Sequence, residues 1–286
     1  MHPPFVLALA LVLAACAEPS SPLPLVPPAD VVSVDVSAIA DVSDASPDIA
    51  ALDAASDVAA PTPLRVLFVG NSYTYVNDLP AMMVRMGAAA ARAGSGPDII
   101  ADSVTVGGAT LRNHWETGTA PSRITAGGWD AVVLQGQSVE PVLNNAEFRS
   151  YGERFGMLAG AHGARAVFYA TWPRRAGDAV YAQTWSGGTQ EVFNTRMRAA
   201  YAQVATTVDG TLAPVGDAWL NALRQRPELN LYDPDGSHPS AAGSWLAACV
   251  LYRALTSVAA SAETEAAVPS VPAADARFLR ELSAAP

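Results

Sequence analysis

Lysine is missing from all 286 residues: the seventeen basic positions are arginine, set against 27 Asp and Glu. Arginine in turn is missing from residues 1–63, which carry Glu18, Asp30, Asp35, Asp41, Asp44, Asp48, Asp53 and Asp57. Removing these eight from the 27 leaves 19 acidic against 17 basic residues for 64–286, so the net charge of −10 belongs mostly to the N-terminal segment. No basic stripe exists to neutralise phosphates, which argues against a nucleic-acid partner. Cysteine is scarce, with only Cys16 and Cys249, too few for a disulfide framework or a thiolate metal cluster. Cys249 sits in an apolar helical run and reads as a small core residue. Aromatic residues are absent from Ala17 to Pro63, a stretch rich in Pro, Ala, Ser, Asp and Val. Its spaced carboxylates repel one another, so residues 17–63 read as an extended, disordered tether. The chain as a whole is 50% hydrophobic, ample for one core of moderate size.

Phe5 to Ala15 is an unbroken apolar run, too short to span a bilayer as a helix and suited to the core of a signal peptide. Met1-His2-Pro3-Pro4 before it lacks the usual basic residue. The run ends in Leu13-Ala14-Ala15-Cys16, which resembles the bacterial lipobox. That resemblance implies a signal peptide over 1–16, lipid attachment at Cys16, and an envelope protein held to a membrane by acyl chains. An ordinary cleaved signal and a secreted product is the alternative.

Folding is expected from about Leu64. Val66-Leu67-Phe68-Val69-Gly70 reads as a buried strand, and Asn71-Ser72-Tyr73-Thr74 as a turn into a helix running to about Gly94. Leu79, Met82, Met83 and Met86 recur in that helix at spacings of three and four. Further strands are expected at Asp98–Val106, Trp129–Leu134, Arg165–Ala170 and Thr211–Val215. Helices are expected at about 146–162, 189–207, 217–226 and 239–257, with a short helical turn near Ala109–Trp115. Short apolar runs alternating with helices indicate a parallel sheet covered on both faces. In such a sheet the active crevice lies beyond the carboxyl ends of the strands, so the turns after strands one, two and three should share a rim. Residues 259–286 read as a weakly ordered C-terminal extension beyond a domain at 64–258, with a final helix near 274–282.

Ser72 stands where a strand ends and a helix begins. Outward-pointing N–H groups there favour a developing oxyanion, although a plain helix cap is the commoner use of such a serine. A nucleophilic serine needs a base. His2 lies in the signal, and His162, before Gly163, suits a helix C-terminus. His114 has no carboxylate at a useful spacing. His238, in Asp233-Pro234-Asp235-Gly236-Ser237-His238-Pro239, has Asp235 three residues before it. A tight turn lets that carboxylate reach Nδ1–H and leaves Nε2 to take the serine proton.

These blocks, in this order, resemble the SGNH hydrolase superfamily, the GDSL-like esterases and lipases, over about Leu64 to Leu255. Gly70-Asn71-Ser72 stands where the family has Gly-Asp-Ser, and is similar to a Gly-Asn-Ser subgroup. Asp235-Gly236-Ser237-His238 matches the family's Asp-x-x-His. Gly108 fits the glycine after strand two, with Gly107 second. In Gln135-Gly136-Gln137-Ser138, Gln137 replaces the usual asparagine, with the same amide on one more methylene. The resemblance implies a three-layer α/β/α fold of flavodoxin-like type and a serine hydrolase acting on ester bonds. It implies Ser72 as nucleophile, His238 as base and Asp235 as its orienter. The Ser72 and Gly108 N–H groups and the Gln137 amide would form the oxyanion hole, with no metal or cofactor and no obligate protein partner. A Gly-x-Ser-x-Gly elbow is absent, which argues against the α/β-hydrolase fold. For a tethered enzyme with aromatics in the loop from Trp172 to Trp185, the expected substrates are carboxylic esters, above all acetyl groups on carbohydrate. The alternative is a glycan-binding lipoprotein on the same scaffold with little or no catalysis, its loop aromatics stacking on sugar.

Overall fold

The computed structural model of the protein describes residues 62–284. The signal peptide, the lipobox with Cys16 and the tether up to Pro61 fall outside the described residues. Five strands form the sheet: β1 (Leu64–Gly70), β2 (Ile99–Thr105), β3 (Ala131–Leu134), β4 (Arg165–Ala170) and β5 (Thr211–Pro214). Their order is β2-β1-β3-β4-β5 and every neighbouring pair is parallel. That is the flavodoxin-like order, in which the crevice opens beyond the carboxyl ends of β1 and β3, the neighbouring strands at which the connections change direction.

The alternation of side chains along β1 explains the layers. Val66 and Phe68 point into one core, with Met82, Met83, Met86, Trp219 and Leu246. Leu67 and Val69 point into the other, with Leu111, Phe148, Phe155 and Tyr201. All four are fully buried, which is why the strand reads as a continuous apolar run rather than alternating with polar residues. The first layer holds α2 (Leu79–Arg92), α8 (Val215–Gln225), α9 (Ala241–Thr256) and α10 (Ala273–Ala284). The second holds α3 (Leu111–Thr117), α4 (Thr119–Thr125), α6 (Asn145–Ala161) and α7 (Gln190–Thr207). Two one-turn helices, α1 (Ser72–Tyr75) and α5 (Glu140–Leu143), sit directly after β1 and β3.

Several expectations are corrected. The helix expected from the Ser72 turn to Gly94 is two helices, α1 and α2, parted by left-handed backbone at Asn77 (φ 57°) and Asp78 (φ 51°). The three–four spacing of Leu79 and the methionines belongs to α2 alone, and Asp78 caps it. The single helical turn expected near Ala109–Trp115 is a helix pair, α3 and α4, hinged at Gly118 (φ 78°). The C-terminal stretch is not loosely attached. Val268, Val271, Ala276 and Leu279 are buried in the first core, and Trp245 Nε1 donates to the Ala276 carbonyl at 2.9 Å. Its sequence is short of large apolar residues, but α9 is apolar nearly all round and needs that cover.

Candidate active site

β1 ends at Gly70 because nothing larger fits: a Cβ there would lie 2.5 Å from Thr74 Oγ1 and 2.6 Å from Gln135 Oε1. Asn71 then caps α1, its Oδ1 accepting the Tyr73 N–H at 3.1 Å. Its Nδ2 donates to the Ala109 carbonyl at 3.1 Å, in the turn after β2. An aspartate would put an oxygen against that carbonyl, so the Asn at this position has a geometric reason. On the other side, the Asn71 N–H (2.8 Å) and the Thr74 hydroxyl (2.9 Å) both donate to Gln135 Oε1, just past β3. The turns after β1, β2 and β3 are thus tied together, as the strand order requires. Ser72, raised on this base, has an N–H that no acceptor among the described residues takes.

His238 Nε2 lies 2.8 Å from Ser72 Oγ, and His238 Nδ1 lies 2.5 Å from Asp235 Oδ2. With Nδ1–H donating to the carboxylate, Nε2 is the acceptor for the Ser72 hydroxyl. Burial pushes the Asp235 carboxyl up, but bonds from the His238 ring and from the Ser237 and His238 N–H groups outweigh it and hold it below the ordinary range. Asp235 therefore stays anionic beside the imidazole. Gly236 supplies the left-handed residue (φ 70°) that lets the carboxylate fold back over three positions.

The loop carrying His238 is braced from two sides. From the loop after β4, Trp172 Nε1 donates to the Ser237 carbonyl at 3.0 Å and the Arg175 N–H to the Gly236 carbonyl at 2.8 Å. From the Ser72 side, Asn77 Nδ2 donates to the Pro239 carbonyl at 2.9 Å. Behind the imidazole, Tyr73, Trp172 and Trp219 form a stack, with ring centroids 4.7 Å and 4.1 Å apart. Tyr73 presents its edge to His238 and shares a 2.6 Å hydrogen bond with the Ser237 hydroxyl. Burial pushes the Tyr73 phenol up, so it stays neutral.

Of the two uses open to the aromatics between Trp172 and Trp185, stacking on sugar or packing within the protein, the structure shows packing. Trp172 is buried in the stack, and the rings of Tyr181 and Trp185 both pack on Phe193. Among the other histidines, His162 caps α6. His114 is buried and its Nε2 bonds the Gly70 carbonyl at 2.7 Å; burial lowers its pKa, so it is a neutral strut beneath the serine turn. Gly108 (φ 69°) is in the exposed turn after β2, and no acceptor among the described residues takes its N–H. Gln137 is in the turn after β3, its Oε1 accepting the Val139 N–H at 2.9 Å while no acceptor among the described residues takes its Nε2. Gln135, Asn71 and Asn77 were not singled out as supports by the sequence. Gln135 had one available signal: a polar residue ending a wholly apolar strand.

No family model matches the sequence, and no curated protein matches it. Solved structures do. A Slackia heliotrinireducens protein classed as an SGNH hydrolase is 30% identical, with a TM-score of 0.58, over 68% of this chain and 99% of its own. A DUF4886 family protein from Bacteroides uniformis shares 18% identity at a TM-score of 0.63, over 78% and 93% of the two chains. An acetylxylan esterase from Geobacillus stearothermophilus shares 14% identity at a TM-score of 0.51, over 67% and 94%. The last two share the fold.

Proposed function

The chain belongs to the SGNH hydrolase superfamily, and from that premise we propose that it is a serine esterase whose nucleophile is Ser72. The observation that carries this reading is the unbroken hydrogen-bonded line from Ser72 Oγ through His238 to Asp235. His238 Nε2 takes the hydroxyl proton as Oγ attacks the ester carbonyl. The carbonyl oxygen becomes an oxyanion, met by the Ser72 and Gly108 N–H groups and the Gln137 amide. The tetrahedral adduct collapses, the C–O bond to the alcohol breaks, and His238 returns its proton to the leaving oxygen. Water, deprotonated in turn by His238, then releases the acid from the acyl-enzyme. Asp235 orients the ring and stabilises its cation throughout.

The substrate class we propose is short acyl esters of carbohydrate, chiefly acetyl. The structural likeness to an acetylxylan esterase suggests this class. The test compares p-nitrophenyl acetate hydrolysis by wild type and Ser72→Ala, both shown folded by circular dichroism. Activity confined to the wild type supports the reading; equal rates in both would remove Ser72 from the chemistry. A chain-length series and acetylated xylo-oligosaccharides then separate acetyl from longer acyl preference. We also propose that the enzyme is a lipoprotein of the Gly-Asn-Ser subgroup, acylated at Cys16 and tethered to a bacterial envelope membrane. Loss of membrane fractionation on Cys16→Ala supports that anchor, and unchanged fractionation removes it.

A further inference from the structure

Beneath the turn after β3 lies a carboxyl group that no catalytic step above uses. Glu140, the first residue of α5, is only 2% exposed. Its Oε2 accepts the Gln137 N–H at 3.0 Å. Its Oε1 is wholly buried without an aligned hydrogen-bond partner. A buried acid of this kind requires a reason, because desolvating it is costly. Burial pushes its pKa up to about 7, opposed by the N–H groups of Gln137 and Leu111 and reinforced by Glu147.

Those two N–H groups belong to different turns. Gln137 lies after β3, and Leu111 opens α3 just three residues beyond Gly108, after β2. Oε2 therefore holds the segment after β3 outright, and the buried Oε1, unbonded among the described residues, is the acceptor left for the Leu111 N–H of the segment after β2. The fit is close on the β3 side. A Cβ on Gly136 would lie 3.2 Å from Glu140 Oε2 and 2.8 Å from the Phe148 ring, and the Gly136 N–H is held by Tyr201 Oη at 2.9 Å.

The charged and titratable groups around Glu140 come from three helices. From α6, Glu147 repels it, while Glu147 and Glu116 occupy Arg112 of α3. From α7, Tyr201 is a phenol that burial keeps neutral. Among the described residues, no cation favours the ionised form of Glu140.

We propose that Glu140, as a carboxylate, is a positioning residue that clamps the turns after β2 and β3 together and so fixes where the Gly108 and Gln137 donors meet the oxyanion. The proposal rests on the serine-esterase reading. The ionised group offers an acceptor oxygen to each turn. Protonation turns one of those oxygens into an O–H donor facing an N–H, and one side of the clamp is lost. Turnover then follows the carboxylate form, while KM for a small ester hardly changes because the clamp acts on the transition state.

The test combines pH–rate profiles for p-nitrophenyl acetate with amide NMR of Gln137 and Leu111, using wild type and Glu140→Gln. The expected variant has kcat about 10- to 100-fold lower at pH 8 with KM within about twofold, as for a misplaced donor. Its acid limb has one fewer ionisation than that of the wild type. In the wild type both amide resonances move with a common midpoint near the Glu140 pKa, and in the variant that movement is gone. Wild-type kcat and an unchanged acid limb in Glu140→Gln, or amides that do not titrate together, would overturn the proposal. A wild type that hydrolyses no ester would instead sink the esterase reading. The amide titration would still decide whether one carboxyl spans the two turns.

Discussion

The backbone N–H of Asn71 donates to the side-chain oxygen of Gln135 at 2.8 Å, and neither residue reaches solvent to any extent. The same oxygen takes the Thr74 hydroxyl, so one amide holds both ends of the turn that presents Ser72. Gln135→Met keeps the volume and removes the acceptor. An orphaned buried donor costs about 1–3 kcal/mol, and a nucleophile displaced by a fraction of an ångström loses about 10- to 100-fold in kcat. Denaturant unfolding and ester turnover read the two effects separately. A variant as stable and as fast as wild type would show that the turn holds itself.

Asp235 offers its two oxygens to different tasks: Oδ1 takes the Ser237 and His238 N–H groups, and Oδ2 takes the imidazole. Asp235→Asn keeps the first task, and hence the loop. It puts an amide donor against Nδ1, which favours the tautomer with hydrogen on Nε2, and that tautomer cannot take the Ser72 proton. A loss of about 10²- to 10⁴-fold in kcat is expected, smaller than that of His238→Ala. Because hydrogen bonding holds the Asp235 carboxyl below its ordinary range, its contribution to stability is present above the ordinary aspartate pKa and is lost as pH falls through the lowered one. The acid midpoint of unfolding should therefore differ between the aspartate and asparagine proteins. Coincident acid curves would contradict this.

Trp172 shows where the sequence falls short. At the end of strand four, before a loop rich in Gly, Trp and Tyr, it could stack on a ligand or pack inside, and it is buried between Tyr73 and Trp219. Its partners lie about 100 positions before it and about 50 after it, a packing that local pattern cannot reveal. The same limit hid Gln135 and the cover that α10 gives to α9. By contrast, the β1 strand, the methionine face of α2 and the Asp235–His238 spacing were legible, because each depends on neighbours within a few positions. Trp172→Ala should cost about 3–5 kcal/mol, as truncating a buried indole does. It also withdraws the Nε1 bond to the Ser237 carbonyl. Trp172→Phe, which keeps a ring but not that bond, should retain most of the stability and lose more in kcat than in Tm. Equal proportional losses in both variants would mean that the stack, and not the bond, places His238.

Glu140 sets function against stability. Its pKa rises on folding from an ordinary 4.5 to about 7 because burial penalises the charge. The folded protein therefore binds more protons than the unfolded chain between those values. The contribution of Glu140 to stability is fully present below pH 4.5 and is lost as pH rises through about 7. At about 1.4 kcal/mol per pKa unit, the loss is bounded at roughly 3–4 kcal/mol. Glu140→Gln carries no such penalty, so its stability relative to wild type should rise between pH 4.5 and about 7 and stay raised above that, where the ionised clamp predicts that the variant loses turnover. Thermal unfolding of both proteins across that range checks the sign. Melting curves that stay parallel would mean that Glu140 does not titrate on folding, and the cost assigned to the buried carboxylate would be wrong.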